Sequence, residues 1–312
     1  MELIKNTLKN SILLILVNLI LSGQVSSKEN NISKNDTSSI SSSNICTAVM
    51  AVSTYYAISM YIMGKTWYKD KDIVPFHFYN DNSGYLQVDK FGHAFGAYTY
   101  SFIGYHGLKM MGMNNLESLI YGGSLGFIMQ APIEIMDGIH EGYGFSWGDI
   151  IANTLGSGIV ISQQLLLDNQ LVKYKFTYWK SKYSESANGM LGTSFIDGIF
   201  KDYNAHTYWL SLPINAIHNN NYIPEWLNFA VGYGAGGMYG EFTNESTYHG
   251  VDLPKTERYR RILISLDIDW TKIRTESTIL KTILDGFTLV KVPFPAVEIN
   301  SKGEVLLHLI YY

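Results

Sequence analysis

The sequence predicts an α+β protein in which a membrane-associated bundle of about four apolar helices is followed by a C-terminal antiparallel β region. Three observations carry that prediction. Hydrophobic residues make up 46% of the chain and charged residues only 16%, against about 25% charged in an ordinary soluble domain. Long stretches almost free of charge fill positions 45 to 167, and beyond Leu167 the pattern changes to short runs with period-2 alternation, the spacing of strands. The 23 tyrosines add to this, because an apolar ring with one polar tip suits a membrane interface or a half-buried sheet.

The first 23 residues read as an export signal. Lys5 and Lys9 precede an uncharged run from Ser11 to Ser22, which matches a secretory signal peptide. Residues 24–44 are mostly Ser, Asn, Lys and Asp, a composition that cannot bury a core, and read as a linker. Cys46 is the single cysteine, so internal disulfides and thiolate clusters are excluded; it reads as a small apolar filler. It also lies too late to be the acylation cysteine of a lipoprotein signal. The net charge of −4 lacks the basic excess of a nucleic-acid partner. Membrane lipid is the expected partner instead.

Residues 45–167 form the expected helical domain. Ile45 to Gly64 is uncharged and long enough for a first helix. Trp67 to Val88 carries Pro75, Asn80, Asp81 and Gly84 and reads as a long loop. A second helix is expected from Asp89, as its N-cap, to about Met113, and a third from Leu116 to Met136, interrupted by Pro132 and stopped near Gly138. The fourth runs from Ser146 to Leu167, and Ser146-Trp-Gly-Asp149 has the spacing of a capping box. Residues 168–312 form the expected β-rich region, with strands at Thr207–Ile214, Leu227–Gly234, Tyr259–Trp270 and Val305–Tyr312. In the third of these Ile262, Ile264, Leu266, Ile268 and Trp270 share one face, with Arg261, Ser265, Asp267 and Asp269 on the other, the mark of a half-buried antiparallel strand. A short helix is expected at Glu276–Phe287, and Pro293 and Pro295 are expected to break the chain beyond that helix. Gly232-x-Gly234-x-Gly236-Gly237 lacks the helix and acidic residue of a dinucleotide site and reads as a turn.

The candidate site is a polar cluster on the helices: Asp89, Lys90, His93, Glu134, Asp137, Ser146, Asp149 and Asn153. Asp89 and His93 fall at i and i+4, with Gly92 and Gly96 leaving room for a neighbouring helix. Glu134 and Asp137 fall at i and i+3, and Asp149 and Asn153 at i and i+4. Glu134 and Asp137 sit near a helix C-terminus whose partial negative charge opposes each by roughly 0.3 to 1 kcal/mol. Local propensity does not explain them, so compensation is expected from Lys90, a protonated His93 or a bound cation, and these two are the catalytic candidates. One neutral imidazole with two or three carboxylates is the ligand type of a zinc, manganese or iron site, which makes Asp89, His93, Glu134 and Asp137 the expected ligands of a divalent metal. Against this, Asp89 and Asp149 are accounted for as capping residues and Asn153 as an inter-helix hydrogen bonder.

Taken in order, Phe76-His-Phe78, Gln87-Val-Asp89-Lys-Phe-Gly-His93, Ala97-Tyr98, Glu134, Asp137-Gly138, Gly144-Phe-Ser146 and Asp149-x-x-Ala-Asn153-x-x-Gly156 resemble the YfiM-type family of predicted periplasmic lipoproteins, a family of unknown function. The resemblance covers about residues 67 to 167, and Lys201 to Ser211 looks like the longer members. The same carboxylate, His and Asn series is more distantly similar to VanZ-like membrane proteins. Both resemblances imply an exported protein of the cell envelope, in periplasm or membrane, and neither implies an activity. Two functional readings are open. In the first, the polar cluster locks the register of a helix bundle in an envelope protein of unassigned chemistry; in the second, it serves a metal-dependent enzyme acting on a lipid or cell-wall precursor. Strand alternation and the terminal Tyr312 point to the outer membrane, though with fewer strands than a closed barrel of about eight.

Overall fold

The computed structural model describes residues 42–69, 71–217 and 222–312. The expected signal peptide and all but the last three residues of the expected linker lie outside the described residues, as does the Cys46 side chain. Four long helical segments come first: α1 (Ser42–Trp67), α2 (Val88–Met110), α3 (Leu125–Gly138) and α4 (Trp147–Leu167). A short turn at Asn115–Glu117 and a π-helical turn at Ser118–Gly122 lead into α3, so the third helix is interrupted there, while Pro132 lies inside α3.

The expectation of about four apolar helices is corrected to two. Among the described residues, only Asn115–Gly138 and Trp147–Leu167 are long and apolar enough to cross a membrane. The α2 segment fails on composition, since Asp89, Lys90, His93 and Lys109 interrupt its apolar positions, and the Ser, Thr and Tyr content of α1 lowers its hydropathy.

The α2 helix is the hub, packed against α3 and α4 through glycines. A Cβ at Gly126 would strike the Ala97 backbone, and one at Gly156 would strike the backbone of Ala94. Ser101 Oγ seals the crossing, accepting from the Gly126 amide at 3.1 Å and donating to Ser157 at 3.0 Å. Fully or nearly buried Val88, Tyr98 and Val160 from these helices join Tyr174, Tyr208 and Ala235 from the sheet in one core cluster.

That sheet is a six-stranded antiparallel meander in sequential order: β1 (Lys173–Tyr178), β2 (His206–Pro213), β3 (Leu227–Gly236), β4 (Tyr259–Ile268), β5 (Phe294–Asn300) and β6 (Val305–Tyr311). A helix at Thr278–Gly286 lies between β4 and β5. Three expectations need correction here. The glycine run is strand as far as Gly236 and turns only at Gly237, whose φ is positive: Gly232 and Gly236 leave room for the Trp209 and Tyr259 rings across the strand, a use of glycine where a large neighbour approaches closely. Pro293 and Pro295 do not end the strand region, because Pro295 sits at the bulge where β5 and β6 shift register between Phe294 and Ala296, a place where a missing N–H is tolerated. The third concerns which face of β4 is buried. Arg261, Leu263, Ser265 and Asp267 point inward, while Ile262, Ile264 and Leu266 are exposed.

The same inversion runs across the sheet. Leu210, Val231, Ile264, Val297 and Leu307 lie in register on successive strands and form one apolar row on the outside. Toward β6 this face is open, with Ile264 38% and Leu309 79% exposed, while at its β1 and β2 end Tyr174 and Tyr208 are buried against the helices. The inner face is mixed: Trp209, Ala230, Leu263 and Ala296 form a small apolar cluster, and polar groups fill the rest. Lys175 Nζ pairs with Asp267 Oδ2 at 2.7 Å, both side chains fully buried; Ser211 donates to the same oxygen at 2.6 Å, and Asn228 donates to Ser211 at 2.9 Å. Glu298 meets His308 at 3.0 Å. The sheet curls, so that Tyr311 on β6 reaches back to Thr207 at 2.9 Å and sets its ring against Trp209, both on β2.

Candidate functional site

The polar cluster forms at one end of the helices, where α2 and α4 begin and α3 ends. Val88 opens α2 after three consecutive residues with positive φ, Tyr85, Leu86 and Gln87, a conformation that costs non-glycine residues of order 1 to 3 kcal/mol each. Gln87 is therefore the N-cap, and Asp89 falls inside the first turn. The expectation that Asp89 caps the helix is corrected, and its carboxylate faces side chains instead. Tyr203 donates to Asp89 Oδ1 at 3.0 Å and Lys90 contacts Oδ2 at 3.1 Å.

At the start of α4, Ser146 caps as expected, accepting from the Asp149 amide at 3.2 Å. The reciprocal half of the box is replaced: Asp149 turns its carboxylate to Lys90 at 2.8 Å, and Ser146 donates to Asp81 at 2.6 Å. Lys90 also reaches Asp81 at 2.7 Å, so one ammonium joins three carboxylates. The expected pairing of Lys90 with Glu134 and Asp137 is not the arrangement found.

His93 faces two ways. Its Nδ1 lies 3.2 Å from Glu134 Oε1, and its Nε2 lies 3.9 Å from Asp89 Oδ1 and 3.7 Å from Asp149 Oδ1. Gln130 donates to the His93 carbonyl at 3.2 Å, tying α3 to α2. Burial alone would depress the His93 imidazolium, but Asp149, Asp89 and Glu134 outweigh it and raise the group to about 9. Burial likewise works against the Asp89 carboxylate, yet His93 and Lys90 hold it below the usual carboxylate range. Glu134 is fully buried, and neither of its oxygens has a hydrogen-bond partner; the same holds for both amide atoms of Asn153, also fully buried. Asp137 stands apart, its carboxylate accepting from Tyr68 at 2.5 Å.

Of the four residues expected to hold a metal, the structure groups Asp89 and His93 with Asp149, one ligand atom from each lying within 4.8 Å of the others. Glu134 lies on the far side of the imidazole and Asp137 on Tyr68. Sequence reasoning missed Asp81, Tyr203, Tyr68 and Gln130. Asp81 carried only a turn signal; Tyr68 and Tyr203 reach the cluster through the tertiary fold from other segments, and Gln130, one turn before Glu134 on α3, gave no signal because its bond to the His93 carbonyl is a helix–helix contact.

Residues 77–164 match the family described as Predicted periplasmic lipoprotein (DUF2279). The match supports an exported cell-envelope protein of unknown activity and contains every cluster residue named from the sequence. It leaves out Tyr68, Tyr203 and the entire sheet. Nothing in the comparisons supports the VanZ likeness. No curated protein and no solved structure matches the chain.

Proposed function

We propose that this is a membrane-associated envelope protein whose sheet exterior and outer helix flanks rest against lipid, while the polar cluster fixes the register of the helices at one end. The observation that carries the reading is the sheet's apolar exterior, in register over five strands, around an interior that buries Lys175, Asp267 and Glu298. A sheet facing water on that side would alternate the other way, whereas apolar-out and polar-in is the pattern of strands that face lipid. The helices continue the surface. Ile151, Leu155 and Leu165 on α4 and Ile128 and Ile135 on α3 are all more than half exposed, a far larger apolar area than a monomer normally shows to water. The cluster supports the register role, since Ser146, Lys90, Asp149, His93 and Glu134 together link α2, α3, α4 and the preceding loop.

Vesicle flotation tests the reading. Detergent-purified protein reconstituted with phospholipid is expected to float with the vesicles and to resist a carbonate wash. Leu307→Asp with Leu309→Asp places two carboxylates on the outer face, where a charge facing lipid costs up to a few kcal/mol, and is expected to sediment. Wild-type protein that stays folded and soluble after detergent removal, without vesicles, sinks the idea; so does a doubly substituted variant that floats like wild type.

A further inference from the structure

We infer that Asp89, His93 and Asp149 form a site for one divalent transition-metal ion, Zn²⁺ or Mn²⁺, with Glu134 as the carboxylate that orients the imidazole and Lys90 as a built-in competitor for the same oxygens. The inference goes beyond the lipid-facing reading and does not depend on it.

Geometry comes first. The separations of His93 Nε2 from Asp89 Oδ1 and Asp149 Oδ1, 3.9 and 3.7 Å, are too long for hydrogen bonds. They suit an ion between the atoms: at zinc–nitrogen and zinc–oxygen distances of about 2.1 Å and a wide angle, two ligands stand about 3.6 Å apart. The two carboxylates draw the imidazole toward them by charge, and at these separations they leave space between the three atoms rather than closing a hydrogen bond.

Glu134 supplies the independent observation. It is fully buried, no hydrogen-bond partner reaches either oxygen, and Oε1 lies 3.2 Å from His93 Nδ1. A carboxylate on the other nitrogen of a ligating histidine fixes the tautomer that presents a lone pair to the metal, and such partners typically tune affinity 10- to 100-fold. Three protein ligands also match the ligand number of reactive rather than purely structural zinc sites. The ligand set is reachable, since the side chains of Asp89 and His93 keep 19% and 16% of their surface while that of Asp149 keeps 4%.

Lys90 makes the site conditional. Its ammonium lies 3.1 Å from Asp89 and 2.8 Å from Asp149, occupying the charge a dication would take. Asp81, at 2.7 Å, offers it a place to withdraw to. The site therefore predicts an unusual sign: removing a cationic side chain improves cation binding.

The experiment is metal titration of chelator-stripped, detergent-solubilised full-length protein with Zn²⁺ and separately Mn²⁺, reading stoichiometry by elemental analysis and affinity by calorimetry. Wild type is expected to take up about one equivalent, Asp149→Asn and His93→Ala none, and Glu134→Gln to bind about 10- to 100-fold more weakly. Lys90→Met is expected to bind at least as tightly as wild type and to gain more thermal stability from the ion. Because Lys90→Met tests a gain, it stays informative if the loss variants fail to fold. The inference is overturned if neither wild type nor Lys90→Met takes up either metal, or if uptake is the same in Asp149→Asn as in wild type.

Discussion

Two regions of this molecule bury charge, and they differ in how far each charge finds a partner. Inside the curled sheet Lys175 faces Asp267, Glu298 faces His308, and Ser211 and Asn228 join the first pair, while buried Lys291 rests over the Trp209 ring and, among the described residues, donates only to a backbone carbonyl. At the helix ends Asp81, Asp89, Asp149, Glu134 and Asp137 share Lys90 and His93, and Glu134 has no hydrogen bond at all. A network in which each carboxylate has its own cation accounts for itself as structure. An open one asks for a further positive charge, and the difference separates a scaffold from a site even though both are polar, buried and built on regular elements.

Breaking the buried sheet pair gives the largest effect. Lys175→Met leaves fully buried Asp267 with only the Ser211 hydroxyl and the neighbouring Lys291 and is expected to cost about 3 kcal/mol, read as a lowered midpoint in detergent unfolding. Lys175→Met with Asp267→Leu is expected to recover most of that loss, and failure to recover would mean that the pair does more than neutralise itself.

Acid probes the junction between the regions. His206, on the helix-facing side of β2, donates from Nε2 to the Ile199 carbonyl at 2.9 Å, and burial pulls it down to about 4. A base whose folded value lies below its unfolded value, about 6.5, is neutral in the fold while the unfolded chain takes up a proton. The stability it contributes is thus present above about pH 6.5 and lost as pH falls toward 4, at roughly 1.4 kcal/mol per unit. His206→Gln is expected to flatten that part of the stability profile, and an unchanged slope would remove His206 as its source.

The open network responds in the other direction. Glu134→Gln removes a buried carboxylate without a hydrogen bond, so metal-free protein is expected to keep its stability or gain up to about 1 kcal/mol, instead of losing the 1 to 3 typical of a broken buried hydrogen bond. A loss of that size would show that Glu134 is matched after all. Comparable in size and opposite in sign is Ser146→Ala, which removes the α4 cap and the Asp81 contact and is expected to cost about 1 kcal/mol in the same assay.

Much of this organisation was legible in the sequence, and the failures share a cause. The four helices and the strands at 207, 227, 259 and 305 follow from period and composition, and Ser146 was readable as a cap. The strand Lys173–Tyr178 was not, because Lys175 breaks the apolar pattern while serving the sheet interior. Alternation in Tyr259–Ile268 was plain, but alternation alone does not say which face is inside; an apolar row turns outward when the solvent is lipid. At the site, helical spacing brought Asp89, His93 and Asp149 into view, whereas Tyr203 and Asp81 arrive from segments whose own patterns carry no chemistry.

Lipid contact at the sheet exterior is the central claim, and label quenching tests it most directly. In a Cys46→Ser background, single cysteines at Leu307 and Ile264 on the outer face and at Lys255 on an exposed loop would carry a fluorescent label in reconstituted vesicles. Quenching by lipid-borne nitroxide at Leu307 and Ile264, with quenching by aqueous iodide confined to Lys255, is the predicted result. Iodide quenching at Leu307 and Ile264 equal to that at Lys255 would contradict it.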